Sequence, residues 1–453
     1  MPDNSSPPPR PPLSDILLDS AQCVRAVSSG RSLSDALAEV ARESRPAVQA
    51  VAFHVMRRLG LARAVRGILV RRTPPDALAD ALLLVALAVL DTALDHAQPD
   101  PDAIPARRDL PVYAVHTVVD QAVRAATAHR ATRPYKALVN ASLRRFAREQ
   151  RSILAQAAQS DEARWNYPEW WLRLVREAYP DNWRALLEAG DRPGPMTLRV
   201  NTRRSSVGDL LPRLRDAGLE ARALDGRAVT LDTARPVRAV PGFDEGWWSV
   251  QDISAQRAAA LLAPVAGERV LDACAAPGGK TAHLLELADV RLLALDDDAT
   301  RLARIRENLD RLGLMSDAVS LRCADAADVD AWWDGTPFDA VLADVPCTAS
   351  GIVRRHPDIR WLRQSQDVVA TARLQERIVD ALWRVVGPGG RLVYATCSVF
   401  PQEGVRQAAR FRKRHPDATS LPAPGQLLPI GSPDVGDGFF YAAFAKRTPD
   451  GQK

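Results

Sequence analysis

The sequence predicts a multidomain chain in which an all-α front, a small α+β module and a C-terminal α/β domain follow one another. Three observations predict it. From about Leu13 to Arg151, polar and apolar residues alternate at helical spacing, with frequent Ala and Leu and no β-branched alternation. Between Met196 and Leu231, short strand-like runs flank one helical stretch. From Gly267 onward, strand and helix patterns alternate repeatedly, which argues for a parallel, doubly wound, Rossmann-like sheet. With 453 residues, the chain is long enough for two or three cores.

In chain order, residues 1–12 are Pro-rich and expected to be disordered. The helical front spans 13–151, and its apolar run Ala77–Leu94 reads as a buried helix of a bundle. Residues 152–192 form a helical connector, whose Trp165, Trp170, Trp171 and Trp183 are expected to fill core space. The small module occupies 193–248, with strands at Met196–Val200, Ala221–Ala223 and Ala228–Leu231 and a helix at Val207–Ala217. The α/β domain runs from 249 to 453. Its expected strands are Arg269–Asp272, Arg291–Leu295, Val319–Arg322, Ala340–Ala343 and Arg391–Ala395, with helices such as Thr281–Leu287 and Arg301–Arg311 between them. Ligands of such sheets sit beyond the carboxyl ends of the strands, so the loops there are where chemistry is sought.

The formal charge of +5 and pI near 9.1 hint at a polyanionic partner. The distribution is sharper than the total. Residues 251–350 carry 9 basic against 17 acidic side chains, whereas 351–453 carry 16 against 9. A basic front and tail around an acidic middle suit nucleic acid gripped around a carboxylate-rich site. Residues 121–151 hold eight basic residues against Glu149 alone, including Arg144 and Arg145. The run is either a solvated helix face or a phosphate-binding one, and the charge excess favours the second. Arg354, Arg355 and Arg360 are further RNA-binding candidates. The start, Met1-Pro-Asp-Asn-Ser-Ser, lacks the apolar stretch of an export signal, and the run Ala81–Leu90 is too short to span a bilayer. Five cysteines without C-x-x-C spacing speak against a zinc site, and no metal is expected. Their odd count suggests reduced thiols in a cytoplasmic protein.

The first α/β strand ends in Leu271-Asp-Ala-Cys-Ala-Ala-Pro-Gly-Gly-Lys-Thr281. Gly278 and Gly279 permit a tight turn and close approach of backbone to ligand, with a helix N-terminus behind them. The tail Gly279-Lys280-Thr281 imitates a P-loop, but that motif requires glycine where Cys274 stands. A dinucleotide site is disfavoured, because no G-x-G-x-x-G follows the strand. Asp272, Asp296 and Asp325 follow three successive strands. Asp296 is placed to meet ribose hydroxyls and Asp325 the adenine edge, which favours a nucleoside-bearing cofactor.

Two cysteines end later strands, in Asp344-Val-Pro-Cys347-Thr and Ala395-Thr-Cys397-Ser. Free cysteines are usually inert buried hydrophobes, but these stand among Asp, Pro, Thr and Ser at the edge where ligands bind. Methylation of cytosine at carbon 5 explains them. That carbon becomes nucleophilic only after a thiolate adds to carbon 6 and N3 is protonated or hydrogen-bonded.

Cys274-Ala275-Ala276-Pro277-Gly278-Gly279-Lys280, Asp344-Val-Pro-Cys347 and Ala395-Thr-Cys-Ser398 together resemble the Nop/Sun family of RNA cytosine-5 methyltransferases. Arg354–Arg363, Tyr394–Pro401 and Asp437–Ala442 resemble its bacterial small-subunit ribosomal RNA branch, and Leu138–Phe146 resembles the end of that branch's NusB-like domain. The resemblance implies an all-α NusB-like RNA-binding domain, an RNA-recognition-like module and a class I methyltransferase domain using S-adenosylmethionine. It implies that Cys397 is the nucleophile and that Cys347 assists release. It further implies cofactor contacts from residues 274–280, Asp296, Asp325 and Asp344, and a substrate cytosine in a small-subunit ribosomal RNA hairpin. A monomer is expected. The chain departs from the family at Pro401-Gln-Glu-Gly404, where Pro-Glu-Glu-Asn is usual, and at Ser44-Arg45, where Asp-Arg is. A DNA cytosine methyltransferase, which uses the Pro-Cys cysteine as nucleophile, and a non-catalytic RNA-binding factor are the alternatives. The Thr-Cys-Ser loop argues against the first, and intact Asp344, Cys347 and Cys397 against the second.

Overall fold

The computed structural model describes residues 11–97, 111–432 and 434–448. The Pro-rich tail expected at 1–12 lies outside them except for Pro11 and Pro12. The chain forms two compact units.

One unit contains the chain up to Glu177 together with His356–Gln364. Its helices are α1 (Leu13–Ser28), α2 (Leu33–Ala38), α3 (Arg45–Leu69), α4 (Ala77–Ala97), α5 (Val115–Ala128), α6 (Lys136–Ala157), α7 (Asp161–Trp165) and most of α8 (Glu169–Ala178). α4 is apolar all round, so it must be covered all round. It is: Leu82–Leu90 are buried in one cluster with Leu17 and Val24 of α1, Val55 and Leu59 of α3, and Phe146 of α6. Its 21 residues are enough by length and apolarity to cross a bilayer, longer than the run read from sequence, but most of that surface is buried inside the bundle. Ser32 and Ser160 cap α2 and α7 through their hydroxyls. Ser44, at the start of α3, makes no side-chain cap, and Arg45 instead donates to the carbonyls of Ala38 and Val40. Trp171 is buried against Tyr167 and Trp170.

The other unit holds Ala178–Arg355 and the chain from Ser365. After α9 (Trp183–Gly190) comes a four-stranded antiparallel sheet in the order β2-β3-β1-β4, built from β1 (Met196–Val200), β2 (Ala221–Ala223), β3 (Ala228–Leu231) and β4 (Trp248–Val250). The helix α10 (Val207–Asp216) carries a capping box between Ser206 and Asp209 and buries Leu210 and Leu214 with Leu198, Val200 and Trp248. β4 was not expected from the sequence.

The large sheet has seven strands in the order β10-β11-β9-β8-β5-β6-β7. They are β5 (Arg269–Ala273), β6 (Arg291–Asp296), β7 (Val319–Cys323), β8 (Phe338–Asp344), β9 (Val386–Thr396), β10 (Ala418–Leu427) and β11 (Phe439–Lys446). β5 to β9 are parallel, as expected, but β11 and β10 add on antiparallel, so the sheet is mixed rather than wholly parallel. α11 (Ile253–Leu262), α12 (Gly279–Leu287), α13 (Ala299–Leu312), α14 (Val329–Trp332), α16 (Ser365–Val385) and α17 (Val405–Arg414) belong to this domain, whereas α15 (Ile359–Leu362) lies in the segment of the helical unit. Buried Leu271, Ala273, Val341 and Ala343 on one face, and Val270, Ala340 and Leu342 on the other, make the centre of the sheet apolar on both sides.

Candidate active site

β5 leads into the glycine turn. Cys274 takes a left-handed backbone (φ +61°), Ala276–Pro277 is cis, and Gly278 (φ +92°) is the N-cap of α12. A Cβ at Gly278 would meet Ile305 at 3.0 Å, so both the turn and the neighbour require glycine there. The buried Ala275 donates its N–H to Leu295 O (2.7 Å), and Gly278 donates to Ala275 O (2.8 Å), closing the turn against β6. Gly279 opens α12, and its carbonyl accepts from Arg199 of β1 (2.6 Å). Arg199 is fully buried and also grips both carboxylate oxygens of Glu286 (2.7 and 2.8 Å).

Asp296 ends β6. It is 2% exposed and accepts from the N–H groups of Ala276 (3.0 Å) and Asp298 (3.2 Å). A carboxylate offers about four lone-pair positions, so acceptor capacity remains for ligand hydroxyls. Asp325, after β7, is half exposed, accepts from Ala327 N–H (2.9 Å) and pairs with Arg377 at 3.2 Å. Asp272 was read as one of three strand-end acids but not counted among cofactor contacts. It is fully buried, takes the Thr281 hydroxyl on one oxygen (2.6 Å) and leaves the other without a hydrogen-bond partner among the described residues. Burial raises its pKa to about 7 against the pull of Thr281. The Cys274 thiol is raised by burial and then by the charges of Asp344, Asp296, Asp272 and Asp297. An acidic cradle with an orphaned buried acceptor fits a cationic nucleoside such as S-adenosylmethionine.

Lys280, in the first turn of α12, forms an ion pair with Asp344 at the end of β8 and lies 5.5 Å from the Phe439 ring. Burial opposes its charge, but Asp344 outweighs burial and the ammonium is held raised, with Cys397 adding to the effect. Cys347 Sγ and Cys397 Sγ are 3.4 Å apart. The contact with Cys397 raises the Cys347 thiol well above its usual range, followed by burial and the charges of Cys397 and Glu403. Gly351 N–H donates to Cys397 O (2.8 Å), and Ser350 and Ser398 hydroxyls meet at 2.9 Å, so the two cysteine loops are stitched together. Gly404 stands where Asn is usual. A Cβ there would meet the Phe440 ring at 3.0 Å, and α17 starts without a side-chain cap.

The five arginines separate into two groups. Arg144 and Arg145 are exposed on α6, where Arg144 donates to Asn140 and Arg145 pairs with Glu149, both at 3.0 Å. Of the three expected to contact RNA after the Pro-Cys loop, Arg354 and Arg360 are buried and Arg355 is half-buried. Arg354 and Arg355 pair with Asp437 and Asp252. Arg360 is fully buried, 3.9 Å over the Tyr167 ring, and donates to Asn166 O. The charges of Arg354 and Arg355 are thus matched by two acids within the same unit.

A Rossmann-like core with a glycine turn, strand-end carboxylates and an acidic cradle defines an S-adenosylmethionine-dependent methyltransferase. The model of the 16S rRNA methyltransferase RsmB/F family matches residues 259–445, and that of the RsmF/B-like ferredoxin-like domain matches 167–238. The chain is 45% identical over 342 residues to the ribosomal RNA small subunit methyltransferase B of Vibrio cholerae, covering 73% of this chain and 77% of that one. It belongs to the 16S rRNA methyltransferase RsmB/F family. Among solved structures, a methyltransferase homolog protein from Pyrococcus horikoshii is 29% identical with a TM-score of 0.54, covering 63% of this chain and 97% of its own. The protein PH0851, 22% identical, shares the fold with a TM-score of 0.72 over 98% of this chain and 100% of its own.

Proposed function

We propose that this 16S ribosomal RNA methyltransferase methylates carbon 5 of one specific cytosine through a covalent adduct between Cys397 and carbon 6. The observation that carries the reading is the meeting of the two sulfurs, 3.4 Å apart, in one unit with the Lys280–Asp344 pair. Bound S-adenosylmethionine supplies an electrophilic methyl group; residues 274–280, Asp296, Asp325 and Asp344 are the proposed contacts. Cys397 adds as thiolate to carbon 6, forming the S–C6 bond and pushing the C5–C6 electron pair toward carbon 5. The Lys280 ammonium offers a hydrogen bond to N3, and the Asp344 carboxylate accepts one from the exocyclic amine. Once carbon 5 has taken the methyl group and S-adenosylhomocysteine is left, a base takes the carbon 5 proton, the C5–C6 double bond reforms and the S–C6 bond breaks, returning Cys397 as thiolate with the Cys347 thiol assisting its release. The exposed basic face of α6 is the proposed RNA-binding surface of the helical front.

Unmethylated small-subunit RNA with labelled cofactor tests this. The wild type should place label on carbon 5 of a single cytosine. Cys397→Ser should give neither label nor adduct, since serine is a far poorer nucleophile at neutral pH. Cys347→Ser should accumulate protein joined to methylated RNA on a denaturing gel. Trapping in the Cys397 variant and none in the Cys347 variant would reverse the roles, as in the DNA enzymes.

A further inference from the structure

Glu403 lies between β9 and α17, with no exposed surface. Five donors converge on its carboxylate. On one oxygen they are the Thr348 N–H (2.8 Å), the Thr371 hydroxyl (2.7 Å) and the Gln375 amide (3.3 Å). On the other they are the hydroxyls of Thr348 (2.5 Å) and Ser398 (2.6 Å). Thr348 directly follows Cys347, and Ser398 directly follows Cys397, so one carboxylate holds the next residue of each cysteine. Gln375 extends the grip, donating also to Pro346 O (2.9 Å) on the other side of Cys347. The backbone of Glu403 is itself tied down, its carbonyl accepting from the buried Tyr394 hydroxyl of β9 (2.7 Å).

Resting on the cysteine assignment above, we propose that Glu403 is a positioning residue for both sulfurs. Its carboxylate clamps the Cys347 loop to the Cys397 loop and so sets the separation that lets one sulfur attack while the other waits. It touches neither sulfur. Burying a carboxylate is costly, and five donors aimed at it offset the cost; a plain packing position would hold an apolar side chain more cheaply. Its charge also adds to the contact with Cys397 and to burial in keeping Cys347 a thiol.

Glu403→Gln and Glu403→Ala in the full chain test the proposal. Glutamine keeps the shape but turns one acceptor into a donor facing the Thr348 and Ser398 hydroxyls. Methyl transfer by Glu403→Ala should fall about a hundredfold in kcat, the scale of a misplaced reacting group, with KM for S-adenosylmethionine nearly unchanged. Glu403→Gln should fall less. A second measurement needs no RNA: iodoacetamide labelling followed by mass spectrometry, with exposed Cys323 as the internal reference. Both variants should label Cys347 faster relative to Cys397 than the wild type does. A wild-type kcat in the folded variants overturns the proposal, and so does a lost kcat with an unchanged labelling ratio, which marks a merely structural role. If the alanine variant does not fold, the glutamine variant decides by the same two measurements. Methylation that survives Cys397→Ser would instead overturn the cysteine assignment, while the labelling ratio still judges the clamp.

Discussion

Asp272, near the carboxyl end of the inner strand β5, has a carboxylate oxygen without a hydrogen-bond partner among the described residues. Its pKa of about 7, raised by burial, compares with about 3.9 for an unfolded aspartate. The folded state therefore holds the proton more tightly. The stability this contributes is full below pH about 4 and is lost as pH rises through 7. Asp272→Asn cannot titrate, so the free protein should gain on the wild type as pH increases from 5 to 8. Melting curves of the two proteins that stay parallel over that range would reject the shift. At this scale the sequence was uneven. The cysteine loops and the glycine turn were legible because their chemistry needs adjacent residues. Arg354 and Arg355 were not, because Arg-Arg reads alike on a surface and in a core. The acids that neutralise them, Asp252 and Asp437, stand 103 and 82 residues from Arg355.

Elements were legible where a period ran long. α13, α10 and the strands β5 to β8 fall within two residues of their expected bounds. β10 was missed because Pro422 and Pro424 break its pattern, and it can hold them because it is the outermost strand of the sheet. β11, Phe439–Lys446, is an apolar run without alternation, since its residues are mostly buried on both faces. Such a run carries no sign of its direction, so the antiparallel addition to β9 was not readable. α6 shows the opposite difficulty: the helix is plain, and its role is what composition leaves open. Arg144, Arg145 and Arg148 are exposed along it, and Glu149, where the helix kinks, pairs with Arg145. An exposed pair like this stabilises little, so both arginines remain available to phosphate. Replacing Arg144 and Arg145 by Ala should weaken RNA binding and reduce its salt dependence by about 0.7–0.9 in slope per lost phosphate contact. A titration across salt concentrations with the wild-type slope would make the run a solvated face.

At the scale of the molecule, the expected order of helical front, small module and α/β domain is present, but contacts do not divide the chain into consecutive pieces. His356–Gln364, nine residues from within the α/β sequence, belongs to the helical unit. Asp358 accepts the Leu33 N–H at the start of α2 (2.9 Å), and the Trp361 indole donates to Met56 O of α3 (2.7 Å) and lies 4.9 Å from the Arg63 guanidinium. These partners are about 300 residues apart in sequence, a separation that no local period reports. Gly60 shows how closely α3 is approached, since a Cβ there would meet Glu162 O at 2.3 Å and the Trp361 ring at 3.2 Å. The indole is thus an anchor of the helical bundle supplied from far along the chain. Trp361→Ala should cost that bundle about 3 kcal/mol, the low end for truncating a packed tryptophan, because the ring is only partly buried. Hydrogen exchange locates the loss: peptides of α2 and α3 should exchange faster, while peptides of β5 and β8 keep their protection. Equal acceleration in both sets would mean that the segment supports the whole chain, and no acceleration in α3 would mean that the indole contributes nothing to the bundle.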